Sequence, residues 1–252
     1  MKRLMWTLGV ICLAGSSALA ADKPPTTGQG DIRAAALMEE AANTRYTWSP
    51  DVTSVSGKFA WEMGSKSGAG TFKSVLHQRG GLTIESADKT DIPEDVKDHI
   101  TSMINHRVSP SSAAAKRPTP ASVIVIEDED RGPLIMTVGD PMQSTQRVKD
   151  GRLVQVNRLM GGKRFTIDVT EFERSPDSHW YPAAFKVTWW DAATGKKLET
   201  QVYTTQGFSV IDGQMFPKAE KVVSEKHGKT SNLQLNYSEV KFVLSHQRAV
   251  GK

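Results

Sequence analysis

The sequence predicts an α+β domain made of a long, curved, antiparallel sheet and two main helices. From Val52 onward apolar residues mostly alternate with polar ones, which is the period of a half-buried strand. A helical period occurs in two stretches, and both lie in the first half of the chain. The alternation shifts by one residue after Val169 and again after Tyr237. Such shifts are typical of the bulges through which a sheet curls.

The first helix is predicted from Asp31, its N-cap, to about Arg45. Its stripe of mostly small, apolar residues would let it lie close to the sheet; the stripe comprises Ile32, Ala35, Ala36, Met38, Glu39 and Ala42. The second helix is predicted from Asp91, with Pro93 in its first turn, to about Val108.

Strands account for most of the remaining chain. We expect them at about 52–63, 72–76, 82–85, 123–126, 134–138, 144–149, 152–159, 164–173, 183–190, 197–210, 215–225 and 230–244. Gly64 to Gly70 is predicted to be a turn, and Asp150-Gly151 is a favoured hairpin pair. Two helices cover only part of such a sheet, so an apolar concavity is expected beside them.

Residues 1–20 have the features of a signal peptide. Lys2 and Arg3 precede a short apolar run, and Ala18-Leu19-Ala20 is a typical cleavage site. The chain has one cysteine, Cys12, which lies in this segment. We therefore expect an exported protein, periplasmic or extracellular, cleaved after Ala20 and without a transmembrane anchor.

The mature chain is predicted to contain one domain. Residues 21–30 form a polar, flexible tether, residues 31–244 the domain and residues 245–252 a tail. Residues 109–120 are rich in serine, alanine and proline and are expected to form a mobile flap.

Charge and motifs exclude several classes of function. The net charge is +4, and basic residues are interspersed with acidic ones, so nucleic-acid binding is not expected. Nucleophile elbows, phosphate-binding loops, dinucleotide fingerprints and zinc spacings are absent from the sequence. We therefore expect no catalytic residue, no cofactor and no bound metal.

Two weaker metal hypotheses involve clusters of polar residues. His99 and His106 share a helix face near Asp95, but their spacing places the imidazoles about 10 Å apart along the axis. The favoured interpretation is that these two histidines lie at the surface and that all six histidines are structural or solvent-facing. The acidic run Glu127 to Asp130 offers calcium ligands without the pattern of a known loop. Asp168, Glu171 and Glu173 receive no role.

The apolar strand residues are the candidate ligand-binding set. If the sheet is continuous, one face carries Phe59, Trp61, Phe72, Phe185, Trp189, Val202, Leu233, Leu235 and Tyr237, together with Leu198. For a single residue of this set, a place in the core is the favoured interpretation. As a group, they predict the lining of a concavity for a small hydrophobic molecule or lipid.

Specific stretches resemble a known family. The segment YPAAFKVTWWDAATGKKLETQVYTTQGFSVIDGQMFPKAEKVV, residues 181–223, and the strand within 228–242 resemble the end of the LolA-like periplasmic lipoprotein-carrier superfamily. The stretch NTRYTW, followed by VSGKF, is similar in placement to its first helix and strand. A closer resemblance is to a bacterial exported family of unknown function that shares this tail and the RYTW entry. The resemblance implies an open half-barrel, with the helices on the concave side, that holds an acyl chain or other hydrophobic ligand.

Three functional hypotheses follow. The first is an exported, non-catalytic protein that holds a lipid or lipoprotein acyl chain in its concavity. The second is a structural or interaction protein of the cell envelope, whose concavity is filled by its own side chains and whose partner is another envelope protein. The third and least favoured is a hydrolase with a site built from scattered Asp, Glu and His residues.

Overall fold

The computed structural model describes residues 32–76, 81–88, 91–108, 123–126, 128 and 130–245. The expected signal peptide, tether and flap lie outside the described residues, as does nearly all of the tail. Within the described part the chain forms two helices, α1 (Ile32–Thr44) and α2 (Glu94–Asn105). Both begin and end close to the residues expected from the sequence.

The described residues also form fourteen strands. They are β1 (Val52–Met63), β2 (Lys66–Val75), β3 (Leu82–Ser86), β4 (Val123–Ile126), β5 (Leu134–Thr137), β6 (Thr145–Lys149), β7 (Arg152–Met160), β8 (Lys163–Arg174), β9 (Trp180–Asp191), β10 (Lys197–Thr205), β11 (Phe208–Ile211), β12 (Gln214–Pro217), β13 (Ala219–Lys226) and β14 (Lys229–Leu244).

Twelve of these strands form one antiparallel sheet. Their order is β3-β2-β1-β14-β13-β10-β9-β8-β7-β6-β5-β4, and the two edge strands do not pair with each other. The sheet is therefore open, and with both helices on its concave side it is the α+β half-barrel that the sequence predicted.

Bulges occur at both predicted shifts in alternation. The pairing of β8 with β9 is irregular between Val169 and Glu171 and again before Phe172. The pairing of β1 with β14 shifts between Ser56 and Lys58, and Glu239 opposite has a φ of 51°. Each bulge increases the local twist and bends the sheet, which contributes to its curvature.

The turn predicted from Gly64 to Gly70 is shorter than expected, because β2 begins at Lys66. Gly68 and Gly70 lie inside this strand, opposite Trp61 and Phe59. A Cβ atom at Gly68 would lie 2.9 Å from the indole of Trp61, and one at Gly70 would lie 2.7 Å from the ring of Phe59. Glycine is present here because the aromatic rings cross the neighbouring strand, and the prediction of a long turn was wrong.

The single strand expected over residues 197–210 is also wrong. β10 ends at Thr205, and Gly207, with a φ of +76°, redirects the chain. β11 then pairs with β12 in a separate two-stranded sheet. This hairpin places Met215 and Phe216 in the core, where burial of their side chains outweighs continuation of the long strand.

The larger core fills one side of the half-barrel. The buried face of α2 comprises Val96, Ile100, Met103 and Ile104, which belong to the same cluster as Trp48 and Phe216. The ring of Phe216 stacks between Trp48 and Phe72, at centroid distances of 6.1 and 5.7 Å. The Trp48 indole also donates a hydrogen bond to the Met215 carbonyl at 3.1 Å, so the β11–β12 hairpin is fixed from both faces.

A smaller core lies under α1 at the other end of the sheet. Ala34 and Ala41 are its buried helix residues, and they pack with residues of β4, β5 and β6, namely Val123, Ile135 and Val148. The buried stripe therefore differs from the predicted one, since Ile32, Ala36, Glu39 and Ala42 are exposed. The alanines still allow the close approach to the sheet that the sequence indicated.

We expect Phe216→Ala to lower the free energy of unfolding by about 3–5 kcal/mol, because it leaves a cavity between two stacked rings. Urea unfolding followed by tryptophan fluorescence measures this change. Val210→Ala, in the same hairpin but 57% exposed, is the control and should cost at most about 0.5 kcal/mol. Equal, small effects of both variants would contradict the packing role assigned to the hairpin.

Candidate functional site

A cavity of about 320 Å³ lies over the middle of the sheet, between the regions that the two helices cover. Its floor is formed by β7 to β10, and the C-terminal ends of α1 and α2 lie at its rim. The volume falls in the range of about 300–1,000 Å³ that is typical of small-ligand sites.

The floor of the cavity is apolar. Its apolar and aromatic residues are Leu153, Val156, Phe165, Ile167, Val169, Phe172, Pro182, Phe185 and Tyr203. Val156 is paired with Ile167 across β7 and β8, and Val169 with Phe185 across β8 and β9. Phe185 stacks on Tyr203 with their ring centroids 4.6 Å apart. The strand alternation thus places one continuous row of apolar side chains on the inner face.

The segments that follow the two helices are joined at the rim. The Arg45 guanidinium donates a hydrogen bond to the carbonyl of His106, the C-cap of α2, at 2.7 Å. The amide of Trp48 donates to the carbonyl of Arg107 at 2.7 Å. These bonds satisfy carbonyls at the end of α2 that have no partner within the helix.

A buried hydrogen-bond network lies beside the cavity. The His99 Nε2 atom is 2.8 Å from Glu220 Oε2, and the Tyr237 hydroxyl donates to the same oxygen at 2.9 Å. Burial is the largest single influence and would raise the pKa of Glu220, but His99, Arg107 and the Tyr237 hydroxyl together outweigh it, so the pKa of the carboxyl lies below its ordinary value. The side chain of His99 is 10% exposed, so the prediction of a surface histidine was wrong at this position.

The cavity wall carries a marked positive charge. Arg45, Arg107, Arg152, Arg158 and Lys221 line it, and Glu220 is the one acidic residue among the described lining residues. The Arg107 guanidinium lies 3.8 Å from the ring centroid of Tyr181, and Arg152 lies over Trp180 at 4.9 Å. Aromatic faces attract guanidinium groups, so these two side chains are held in place.

His106 and Arg45 respond to this environment. Both are exposed by surface area, yet the cavity wall surrounds them and reduces their contact with bulk water. Burial, followed by the charges of Arg45, Arg107 and Arg158, lowers the pKa of His106 to about 3. Burial and the charge of Arg107 lower the pKa of Arg45 to about 10. The imidazole of His106 is therefore neutral at neutral pH, whereas Arg45 remains charged.

The structure separates the nine predicted ligand-binding residues into three groups. Phe185 lines the cavity, and Trp189 packs against the cavity residue Phe165 with ring centroids 4.9 Å apart. Six of the nine belong to or pack against the larger core: Phe59, Trp61, Phe72, Leu233, Leu235 and Tyr237.

Val202 is the ninth residue, and its predicted position on the inner face is wrong. It pairs with Lys186, lies on the outer face and is 41% exposed. The inner face of β10 carries Glu199, Gln201 and Tyr203 instead. Gln201 donates to Glu199, and Tyr203 donates to Gln201, each at 2.9 Å. The side chains of these three residues satisfy one another's hydrogen bonds, so they can occupy the inner face of β10. The sequence pattern had assigned that face to apolar residues.

Sequence reasoning did not select the arginines of the cavity wall. Arg158 is paired with Phe165 and lines the cavity two residues after Val156, which also lines it. A charged residue at an inward-facing position of a strand indicates a possible site. It can be recognised from the sequence only when the side of the strand that faces inward is already known.

Among the described residues no group of three potential metal ligands is found. Glu127 and Glu129 of the acidic run lie outside the described residues. Asp128 is engaged by Arg131 and Arg147. Asp168 accepts a hydrogen bond from Gln155 at 2.7 Å and lies 3.8 Å from the ammonium of Lys186.

A family model matches residues 29–243, which include the cavity, the smaller core and all of the larger core except Leu244. The chain belongs to the family described as "Protein of unknown function (DUF3386)". None of the curated proteins matches it.

Among solved structures, the chain is similar to a LolA superfamily protein from Nitrosomonas europaea. The two are 12% identical, with a TM-score of 0.30, over 87% of this chain and 97% of the other. A putative outer membrane lipoprotein-sorting protein domain from Vibrio parahaemolyticus is 8% identical, with a TM-score of 0.31, over 82% and 91% of the two chains. MucB in its complex with MucA from Pseudomonas aeruginosa is 12% identical, with a TM-score of 0.19, over 86% and 96%. What this chain binds therefore depends on the chemistry of its own cavity.

Neither described helix combines the length and the apolar character needed to cross a membrane.

We expect the imidazole signals of His106 to remain constant in an NMR titration from pH 7 to about pH 4, because its pKa is lowered to about 3. The signals are assigned with a His106→Gln variant. In the unfolded chain the same imidazole gains a proton below its ordinary pKa of about 6.5. The contribution of His106 to stability is therefore complete above that pH and is lost as the pH falls toward 3. A titration midpoint near 6.5 in the folded protein would contradict the positive environment.

Proposed function

We propose that this protein is a non-catalytic binding protein that holds a hydrophobic ligand, a lipid or a lipoprotein acyl chain, in the cavity over β7 to β10. The observation that carries the proposal is the uncovered apolar floor. α2, Trp48 and the β11–β12 hairpin fill one side of the half-barrel, and α1 covers β4, β6 and β7. Between these two covered regions, the inner face of β8 and β9 retains an accessible row of apolar side chains.

The chemistry of this floor suits an alkyl chain. Val156, Ile167, Val169 and Phe185 present aliphatic and aromatic surface. Burial of each CH₂ group against such surface contributes about 0.8 kcal/mol. A chain that enters the cavity therefore gains affinity with length until the floor is covered.

The chemistry of the wall disfavours catalysis. Glu220, the acid of the wall, already accepts hydrogen bonds from His99 and Tyr237. The His106 imidazole is surrounded by arginines rather than by a carboxylate that would orient a general base. We therefore place binding ahead of hydrolysis.

Residues 1–20 support export as part of the proposal. Expression of the full chain in a Gram-negative host should yield a periplasmic product whose N-terminal residue is Ala21. N-terminal sequencing of the osmotic-shock fraction measures this. Retention of Met1 on a cytoplasmic product would contradict export.

The first test is extraction of the purified protein with organic solvent, followed by mass spectrometry. A stoichiometric lipid in the extract would support a carrier and would identify the class of its cargo. An empty extract, together with no uptake of the neutral fluorophore N-phenyl-1-naphthylamine, would overturn the proposal. The envelope-interaction hypothesis would then be favoured.

We expect Val169→Trp to weaken N-phenyl-1-naphthylamine binding at least tenfold, because the indole fills the space over β8. Fluorescence titration of the delipidated protein measures the change. Val202→Trp is the matched control, since it adds the same group to the outer face of β10, two strands from β8, and should leave binding within twofold. Thermal unfolding of both variants shows whether each is folded. Unchanged binding in a folded Val169→Trp variant would place the fluorophore elsewhere.

A further inference from the structure

The charge of the cavity wall is not explained by an apolar ligand alone. An alkyl chain needs no cation, and removing charged groups from water is costly unless they are paired. Four arginines nevertheless line a cavity whose floor is apolar. A structural partner elsewhere in the fold would account for an arginine at such a place.

Three of the four have such partners. Arg45 donates a hydrogen bond to the His106 carbonyl, and its positive charge also interacts favourably with the negative end of the α2 dipole. Arg152 forms an ion pair with Asp150 at 2.9 Å. Arg107, 7% exposed, rests on the ring of Tyr181, although its Nε atom has no hydrogen-bond partner among the described residues.

Arg158 differs from the other three. It lies on the inner face of β7, and no ion pair or hydrogen bond of its side chain is found among the described residues. Its Nε atom is buried and unpartnered, as are those of Arg107 and Arg152, but Arg158 also lacks the aromatic and ionic partners that those two side chains have among the described residues. Asp140, the acid that influences it electrostatically, already accepts backbone hydrogen bonds from Met142 and Ser144 at 3.2 and 2.7 Å. A buried guanidinium donor without an acceptor is costly, so an acceptor supplied by a ligand is the arrangement that relieves the cost.

We propose that Arg158, with Arg45 and Arg107 beside it, binds the oxyanion headgroup of an amphiphile whose alkyl tail lies on the floor of the cavity. This inference rests on the proposed function and assigns its ligand class: a carboxylate or phosphate head on a single apolar tail. Arginine is suited to both heads because its planar donors bind two oxygens at once. The head lies at the rim near the helix ends, and the tail extends over β8 and β9.

The test compares three ligands that share a twelve-carbon tail: dodecanoate, dodecyl phosphate and dodecanol. Each is titrated below its micelle concentration against delipidated full chain, and displacement of N-phenyl-1-naphthylamine is measured. At least one anion should bind the wild-type protein ten- to a hundredfold more tightly than dodecanol, which corresponds to one charge-assisted contact of about 1.5–3 kcal/mol. The ranking of the two anions distinguishes a carboxylate head from a phosphate head.

Arg158→Met retains much of the aliphatic stem and removes the charge. We expect it to weaken the tighter anion at least tenfold and to leave dodecanol within twofold. Arg158→Lys should restore part of the loss. Arg164→Met is the matched control, because Arg164 lies one residue from Phe165, outside the cavity lining, and contacts Gln143. It should leave all three affinities unchanged.

The two proposals fail in different ways. If the fluorophore and dodecanol bind but the anions bind no more tightly, or if Arg158→Met weakens all ligands equally, the headgroup site is wrong and the apolar cavity stands. If neither the fluorophore nor any of the three ligands binds the wild-type protein, the proposed function itself is wrong. Should Arg158→Met fail to fold, Arg45→Met tests the same headgroup preference through a second arginine that lines the cavity.

Discussion

Two short helices are too small to cover the concave face of a twelve-stranded sheet, and the site follows from this constraint. Twelve strands spaced about 4.8 Å apart extend over roughly 50 Å, whereas a helix is about 10 Å wide and covers two or three strands. α2 and the β11–β12 hairpin cover one side, and α1 covers the other. The middle strands are left to face a cavity. Any protein with this ratio of sheet to helix has to fill that space with a loop, with its own side chains or with a ligand.

The hairpin decides which part of the concave face is filled. Phe216 is buried between Trp48 and Phe72, so the half-barrel near β1 and β14 has a well-packed core of its own. A ligand is therefore not needed to complete that side. The side near β8 lacks an equivalent insertion in the described residues, and this difference within one sheet separates a filled half from a half that retains a cavity.

Electrostatics adds a second constraint to the cavity. The end of α2 directs a carbonyl that has no partner within the helix toward the rim, and Arg45 donates a hydrogen bond to it there. Burial, together with the positive field of the arginines, keeps His106 neutral, and the same arginines concentrate positive charge beside an apolar floor. A rim that stabilises the end of a helix is thus also suited to an anionic headgroup. Arg158 on β7 is an additional cation that the helix ends do not require.

Local pattern determined the architecture. The period of two, the two helical stretches and the shifts after Val169 and Tyr237 are properties of neighbouring residues, so they predicted the antiparallel sheet, its helices and its bulges from the sequence alone. The side chains that face inward could be predicted where apolar residues alternate regularly along a strand, as at Phe59 and Trp61. This prediction failed at Val202, because Glu199, Gln201 and Tyr203 form an inner polar row whose hydrogen bonds exist only in the folded strand.

Only the tertiary structure decided what the apolar set does. Six of the nine predicted lining residues became core because the β11–β12 hairpin turns inward over them, and a strand pattern does not show that a later segment will return to cover it. The site itself joins Arg45, His106 and Arg158 from three separate elements. No spacing in the sequence brings these residues together. The sequence therefore determined the half-barrel, and packing determined which part of it is open and charged.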